Sequence, residues 1–159
     1  MKDAGAMADN RIIGTYEVSA APGYTGDVTP ATAWKILSEN KDAVLIDCRT
    51  VAEWNYVGLP DLASLGKKPA LLEWQVFPSM QQNPEFVTAL GNAVPNKDMP
   101  LLFLCRSGAR SAAAAKAMSA AGYSTCINVA EGFEGPLDSH GKRGSAAGWK
   151  ANGLPWRQT

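Results

Sequence analysis

Leu101-Leu102-Phe103-Leu104-Cys105-Arg106-Ser107-Gly108-Ala109-Arg110-Ser111, continued by Ala112-Ala113-Ala114-Ala115-Lys116-Ala117-Met118, decides how this chain is read. An apolar run ends on a cysteine, a short polar turn with one glycine follows, and a segment of strong helix formers comes next. The order predicts strand, loop, helix. In such a unit the backbone N–H groups of the loop and of the first helical turn converge, which favours an anion at the loop centre. Cys105 stands at the mouth of that cradle, with Arg106 and Arg110 close in sequence. This setting favours the thiolate, the form of cysteine that attacks. A cysteine ending a buried strand is also compatible with an inert core thiol; two arginines and a glycine within five residues argue for the electropositive alternative.

Outward from this stretch, helix and strand signals alternate. Thr29-Pro30 places a capping hydroxyl before a first-turn proline, with Ala33, Trp34 and Leu37 on one face of a helix ending near Asn40. Ala43-Val44-Leu45-Ile46-Asp47 reads as a strand buried on both faces. Thr50-Val51-Ala52-Glu53 is a capping box opening a short helix with Trp54 and Val57. Residues 58–69 read as loop and Ala70–Phe77 as a strand stopped by Pro78. Asn83-Pro84-Glu85 starts another helix, buried through Phe86, Val87 and Leu90 and ended by Gly91 or Asn92. Gly122 is the expected end of the helix after the Cys105 loop, and Ser124–Val129 the next strand. The pattern implies an α/β fold, a central, mostly parallel β-sheet with helices on both faces.

At the ends the signal weakens. Residues 1–12 are polar and small and are expected to fray, leaving 13–159 as one domain. Ile12–Val18 shows a brief alternation that fits an edge strand, broken by Ala21–Gly26. In the glycine-rich tail, Trp149 and Trp156 are expected to pack back on the domain, with 136–147 as a mobile loop between them.

Fifteen basic and fifteen acidic side chains cancel, so no global field recruits nucleic acid or an anionic membrane. No apolar run is long enough for a membrane span and residues 1–10 lack a secretory core, so a cytoplasmic location is expected. Three widely spaced cysteines, Cys48, Cys105 and Cys126, fit neither a disulfide framework nor a zinc site. A single histidine, His140, reads as a solvated loop residue; triads and metal sites have little to be built from, and no metal is expected.

Two segments resemble the rhodanese sulfurtransferase family. Asp47-Cys48-Arg49-Thr50-Val51-Ala52-Glu53-Trp54-Asn55-Tyr56-Val57-Gly58 is similar to the family's run of aspartate, arginine, glutamate, aromatic and glycine, and Cys105–Ser111 resembles its active-site loop. Glu131-Gly132-Phe133-Glu134-Gly135 and Gly148-Trp149 resemble the family's end. The match covers about residues 28–156 and departs from the family after Gly58, where Leu59-Pro60-Asp61-Leu62-Ala63 and a basic loop replace the common continuation.

The resemblance implies a three-layer α/β/α rhodanese-like domain and a sulfurtransferase reaction. A sulfane sulfur moves from a thiosulfate-like or persulfide donor to cyanide or a thiol through a persulfide on Cys105. Arg106, Ser107, Gly108, Ala109, Arg110 and Ser111 would bind the anionic donor, with Arg110 the favoured charge partner. No cofactor is needed, and a protein acceptor is a possible partner. For Asp47, Arg49 and Glu53 a structural role is favoured, an Arg/Glu pair fixing the turn, while Cys48 and Cys126 read as core thiols, Cys48 with the option of a second thiol near the site. Rival readings are a non-catalytic rhodanese-like protein-binding module and a cysteine-dependent phosphatase or arsenate reductase. Four residues rather than five between Cys105 and Arg110 suit sulfur better than a tetrahedral phosphate, and the loop offers no acidic general acid.

Overall fold

The computed structural model describes residues 15–158, so the expected fraying at 1–12 lies outside the described residues. Its centre is three parallel strands, β3 (Val44–Asp47), β8 (Leu101–Leu104) and β9 (Cys126–Val129). All residues of β8 and β9 are buried, as strands covered on both faces must be. The sheet continues through β2 (Tyr24–Val28), parallel to β9, to β1 (Ser19–Ala21), antiparallel at one edge, and ends at β5 (Ala70–Leu71) on the other, giving the order β1-β2-β9-β8-β3-β5.

Helices cover both faces. On one side, α1 (Pro30–Glu39) buries Ala33, Ile36 and Leu37 against Leu45, Leu102, Ile127 and Val129, with Phe133 and Trp149 of the tail in the same cluster. On the other, α3 (Phe86–Ala93) and α4 (Ala109–Ala120) bring Phe86, Leu90, Ala114, Ala115 and Met118 onto Ile46, Phe103 and Cys126. The fold is the expected α/β sandwich.

Local signals hold where they are self-contained. Thr29 caps α1, its hydroxyl accepting from Thr32 N–H at 3.2 Å, and Asn40 closes it. Thr50 and Glu53 form the full capping box of α2 (Val51–Tyr56). After α4, Gly122 N–H donates to the Ser119 carbonyl and Tyr123 N–H to the Met118 carbonyl, a Schellman ending.

Several expected boundaries shift. The break at Ala21–Gly26 contracts to a Pro22-Gly23 turn, and the first described strand begins at Ser19. The single strand expected at 70–77 divides. β5 leaves the sheet after Leu71, Trp74 turns into the core against Phe86 at 5.1 Å, and β6 (Gln75–Val76) and β7 (Gln81–Gln82) form an exposed hairpin. α3 starts at Phe86 rather than on the Asn83-Pro84 signal, because Asn83 turns its own side chain onto the Glu85 N–H, and it runs through Gly91 and Asn92. Val87 is exposed, not on the buried face. Within 58–69, β4 (Leu59–Pro60) pairs with β10 (Trp156–Arg157), which anchors the tail.

Residues 136–147 are tied down rather than free. Asp138 Oδ1 accepts from the N–H groups of His140 and Lys142, its Oδ2 from Ser145 Oγ, and Arg143 Nη1 donates to the Gly135 carbonyl. His140 is exposed, as expected. Trp149 is fully buried, edge-on to Trp34 at 5.9 Å, with Nε1 donating to the Pro155 carbonyl at 2.7 Å, whereas Trp156 stays 40% exposed. Trp149→Ala is expected to cost about 3–5 kcal/mol by emptying this part of the core; urea denaturation measures it, and a loss under about 1 kcal/mol would show that the tail is not part of the cooperative unit.

Candidate active site

The loop from Cys105 to Ser111 joins β8 to α4 and is shaped from behind by the chain after β9. Phe133 N–H donates to the Cys105 carbonyl at 2.8 Å, and the N–H groups of Glu134 and Gly135 donate to the Arg106 carbonyl at 3.0 and 3.1 Å. The Gly108 carbonyl accepts from Ala112 N–H. In a trans peptide the C=O and the following N–H point in opposite directions. With those carbonyls engaged outside, the amides of Arg106, Ser107 and Ala109 are turned to the loop's other side, and none has a hydrogen-bond acceptor among the described residues. Gly108 N–H and Ser111 N–H donate to Cys105 Sγ at 3.2 and 3.3 Å. The sulfur therefore sits among the amides of the loop, two of which donate to it.

Glycine is required at two points of this clamp. A Cβ on Gly108, at φ +113°, would collide with the Ala130 carbonyl, and one on Gly132, at φ +70°, with the backbone of Arg106. The close approach leaves no room for a side chain.

Cys105 is 1% exposed yet opens onto a cleft of about 700 Å³ lined by Glu53, Met80, Arg106, Ser107, Arg110 and Arg143, among others. The wall opposite the loop comes from α2 and the β6–β7 hairpin, where Met80 takes φ +60°. Arg110 forms a bidentate pair with Glu53, Nη1 to Oε1 at 2.8 Å and Nη2 to Oε2 at 3.0 Å. Burial pulls the guanidinium down, but bonded Glu53, with Cys105 and Cys48 adding to it, leaves Arg110 above its ordinary value. Burial likewise raises the Glu53 carboxyl, and Arg110 together with Thr50 outweighs it, so Glu53 lies below the ordinary glutamate range. Arg106 is exposed on the cleft and has no ion-pair partner among the described residues.

The predicted loop residues thus come together, but the ion pairs differ from expectation. Arg49 does not pair with Glu53. Fully buried, it binds Asp47 through Nε and Nη2 at 2.9 and 2.7 Å, donates to the Gly58 carbonyl at 2.8 Å and stacks on the Phe133 ring at 4.2 Å. Its role is structural; Glu53 is the residue drawn to the cleft. Cys126 is buried in the core. Cys48 is fully buried, its thiol donates to the Leu104 carbonyl at 3.3 Å, and burial pushes it well above the usual thiol range. Two polar residues behind the loop, Asn128 and Asp27, were not singled out from the sequence; the signal was a polar amide inside the otherwise apolar strand Cys126-Ile127-Asn128-Val129.

Comparison with known proteins agrees with this architecture. Residues 25–159 match the family model described as the STR4 middle domain. The chain belongs to the STR4 middle-domain family. It is 36% identical over 132 residues to protein RP600 of Rickettsia prowazekii, covering 82% of this chain and 96% of that one. A protein encoded in the dnaA 5′ region of Rickettsia montanensis is 34% identical over 131 residues, with the same coverage. Among solved structures, Rv0390 of M. tuberculosis is 47% identical with a TM-score of 0.78, covering 86% of this chain and 99% of that one. The polysulfide-sulfur transferase homodimer of Wolinella succinogenes is 22% identical with a TM-score of 0.58, covering 99% and 92%, and shares the fold. The fold is rhodanese-like.

The Glu53 carboxylate is held below its unfolded value of 4.5, so its pairing stabilises the fold above that pH and is lost as the pH falls through the folded value. Urea midpoints measured from neutral to acid pH should fall in the wild type below about pH 4.5, and Glu53→Gln should flatten that part of the profile. Identical profiles for the two proteins would remove Glu53 from the linkage.

Proposed function

We propose that this protein is a sulfurtransferase whose sulfur carrier is Cys105. The observation that carries the reading is the pair of backbone N–H groups, Gly108 and Ser111, on a cysteine Sγ that opens onto an arginine-lined cleft. A thiolate formed there attacks the outer sulfur of a thiosulfate-like donor. The donor's S–S bond breaks, sulfite leaves with the electron pair, and Cys105 becomes a persulfide. A nucleophilic acceptor, cyanide or a thiol, then takes the terminal sulfur, and the Cys105–sulfur bond breaks to return the thiolate. A persulfide donor reacts in the same way with its thiolate as leaving group.

The loop's residues supply the electrostatics. The amides of Arg106, Ser107 and Ala109 are turned inward to meet the donor's anionic end and then the anionic terminal sulfur. Arg106, without an ion-pair partner among the described residues, adds a positive charge at the rim. Arg110, already committed to Glu53, offers its charge and whatever hydrogen-bonding capacity that pair leaves. The fold shared with a polysulfide-sulfur transferase supports the same chemistry without specifying the donor.

Incubation with thiosulfate followed by intact-mass measurement should show one added sulfur on the wild-type chain and none on Cys105→Ser; the same gain on the variant would assign the carrier to another cysteine. A wild-type chain that gains no sulfur from any of a panel of donors, but binds a partner or cleaves a phosphate ester, would replace this reading with a binding module or a phosphatase. Arg110→Ala should raise the thiosulfate concentration for half-maximal uptake about tenfold, the equivalent of one charge-assisted hydrogen bond. An unchanged half-saturation would place Arg110 outside donor capture.

A further inference from the structure

Behind the loop, a line of polar side chains runs from α4 across β9 to β2. Ser111 Oγ lies 3.1 Å from Cys105 Sγ and 2.5 Å from Asn128 Oδ1. Asn128 Nδ2 donates to Asp27 Oδ1 at 3.0 Å and to the Gly108 carbonyl at 3.3 Å, and the Tyr24 hydroxyl donates to Asp27 Oδ1 at 2.8 Å. Asn128 and Asp27 are register partners on the parallel pair β9 and β2. A buried amide in a core strand is costly unless its polar atoms find partners, and here both amide hydrogens and the amide oxygen do.

Counting donors fixes the direction of the line. The Asp27 carboxylate and the Gly108 carbonyl only accept, so both take hydrogens from the Asn128 NH₂ group, and Oδ1 is left facing Ser111. Ser111 has one hydroxyl hydrogen, and it goes to Asn128; the Gly108 carbonyl, 3.2 Å away and already accepting from Ala112 and Asn128, is the weaker choice. Toward Cys105 the serine oxygen then presents a lone pair, which suits a thiol and repels a thiolate. Ionisation of the sulfur obliges the hydroxyl to turn from Asn128 to Sγ.

We propose that Asn128, aimed by Asp27, is a positioning residue for sulfur transfer. It holds the Ser111 hydroxyl while Cys105 is a thiol or carries the transferred sulfur, and yields it to Cys105 as the thiolate forms. Neither Asn128 nor Asp27 lines the cleft, so both act through Ser111. The inference rests on the reading of Cys105 as sulfur carrier.

The test is a double-mutant cycle of Ser111→Ala and Asn128→Ala, read as the single-turnover rate of sulfur uptake from thiosulfate. Asn128→Ala should lower the maximal rate about five- to tenfold, shift the half-saturating thiosulfate concentration less than about twofold, and add less than about twofold on top of Ser111→Ala. Effects that multiply, or a rate and a half-saturation that move together, would overturn the proposal. Asp27→Leu should reproduce the fall and Asp27→Asn should recover most of it, since an amide oxygen can still accept from Asn128; equal losses in both would reject the aiming role, and this pair decides the matter if Asn128→Ala does not fold. If the wild-type chain takes up no sulfur, the carrier reading has failed. The same cycle is then read as the rate of Cys105 alkylation by iodoacetamide, where coupling between positions 111 and 128 keeps the narrower claim that Asn128 positions Ser111 on the Cys105 sulfur, and additivity rejects that as well.

Discussion

The hydrogen bonds from residues 133–135 to the carbonyls of Cys105 and Arg106 are what the rest of the site depends on. They draw two successive carbonyls to the outside of the loop, and the planarity of the peptide turns the next two amides to the inside. The tail is thus a component of the site although it contributes few side chains to it. Its hold on the domain comes from Trp149 in the core beside α1 and from the short β4–β10 pairing. Burial of apolar surface at one end of the tail is converted into backbone orientation at the other.

The same economy links the two motif-bearing segments. Glu53 completes the capping box of α2, accepting from the Thr50 N–H at 3.2 Å, and with the same Oε1 takes Arg110 Nη1 at 2.8 Å. One carboxylate therefore fixes the start of α2 and the first turn of α4, elements that form facing walls of the cleft. Asp47 and Arg49 do the equivalent at the end of β3, where a fully buried pair is tolerable because the guanidinium also meets a carbonyl and an aromatic face. Loss of either partner would leave an uncompensated charge in the core.

How much of this was legible in the sequence follows the range of each interaction. The strand-loop-helix around Cys105, the Thr29 and Thr50 caps and the buried runs of β3, β8 and β9 are written within a few neighbouring residues, and each appears as read. The strand expected at 70–77 failed because its alternation is shared between a sheet edge, the inward turn of Trp74 and an exposed hairpin, a division that only the packing of Phe86 imposes. Arg110 and Glu53 are 57 positions apart, and Asn128 and Asp27 are 101. No local pattern distinguishes such pairs from solvated side chains. The segment 136–147 looked unstructured because its organiser is one aspartate bonding to backbone amides, a signal that composition hides.

The contrast between two neighbouring thiols shows which variable matters. β3 and β8 run in register from Val44 opposite Leu101 to Asp47 opposite Leu104, and Cys48 N–H continues the ladder onto the Leu104 carbonyl, so Cys48 and Cys105 follow at the same level of adjacent strands and share one core cluster. Residue type and depth barely separate them. What separates them is the partner of each sulfur: Cys48 donates to a carbonyl oxygen, which only accepts and so favours the protonated thiol, whereas Cys105 receives two amide hydrogens at the start of a helix. The N-cap Gly108 and the first turn of α4, folded back over the strand end, supply those donors, while after β3 Arg49 turns to Asp47 and Thr50 caps α2. The chemistry proposed for Cys105 follows from how the next loop and helix turn their amides onto the sulfur, not from the cysteine itself.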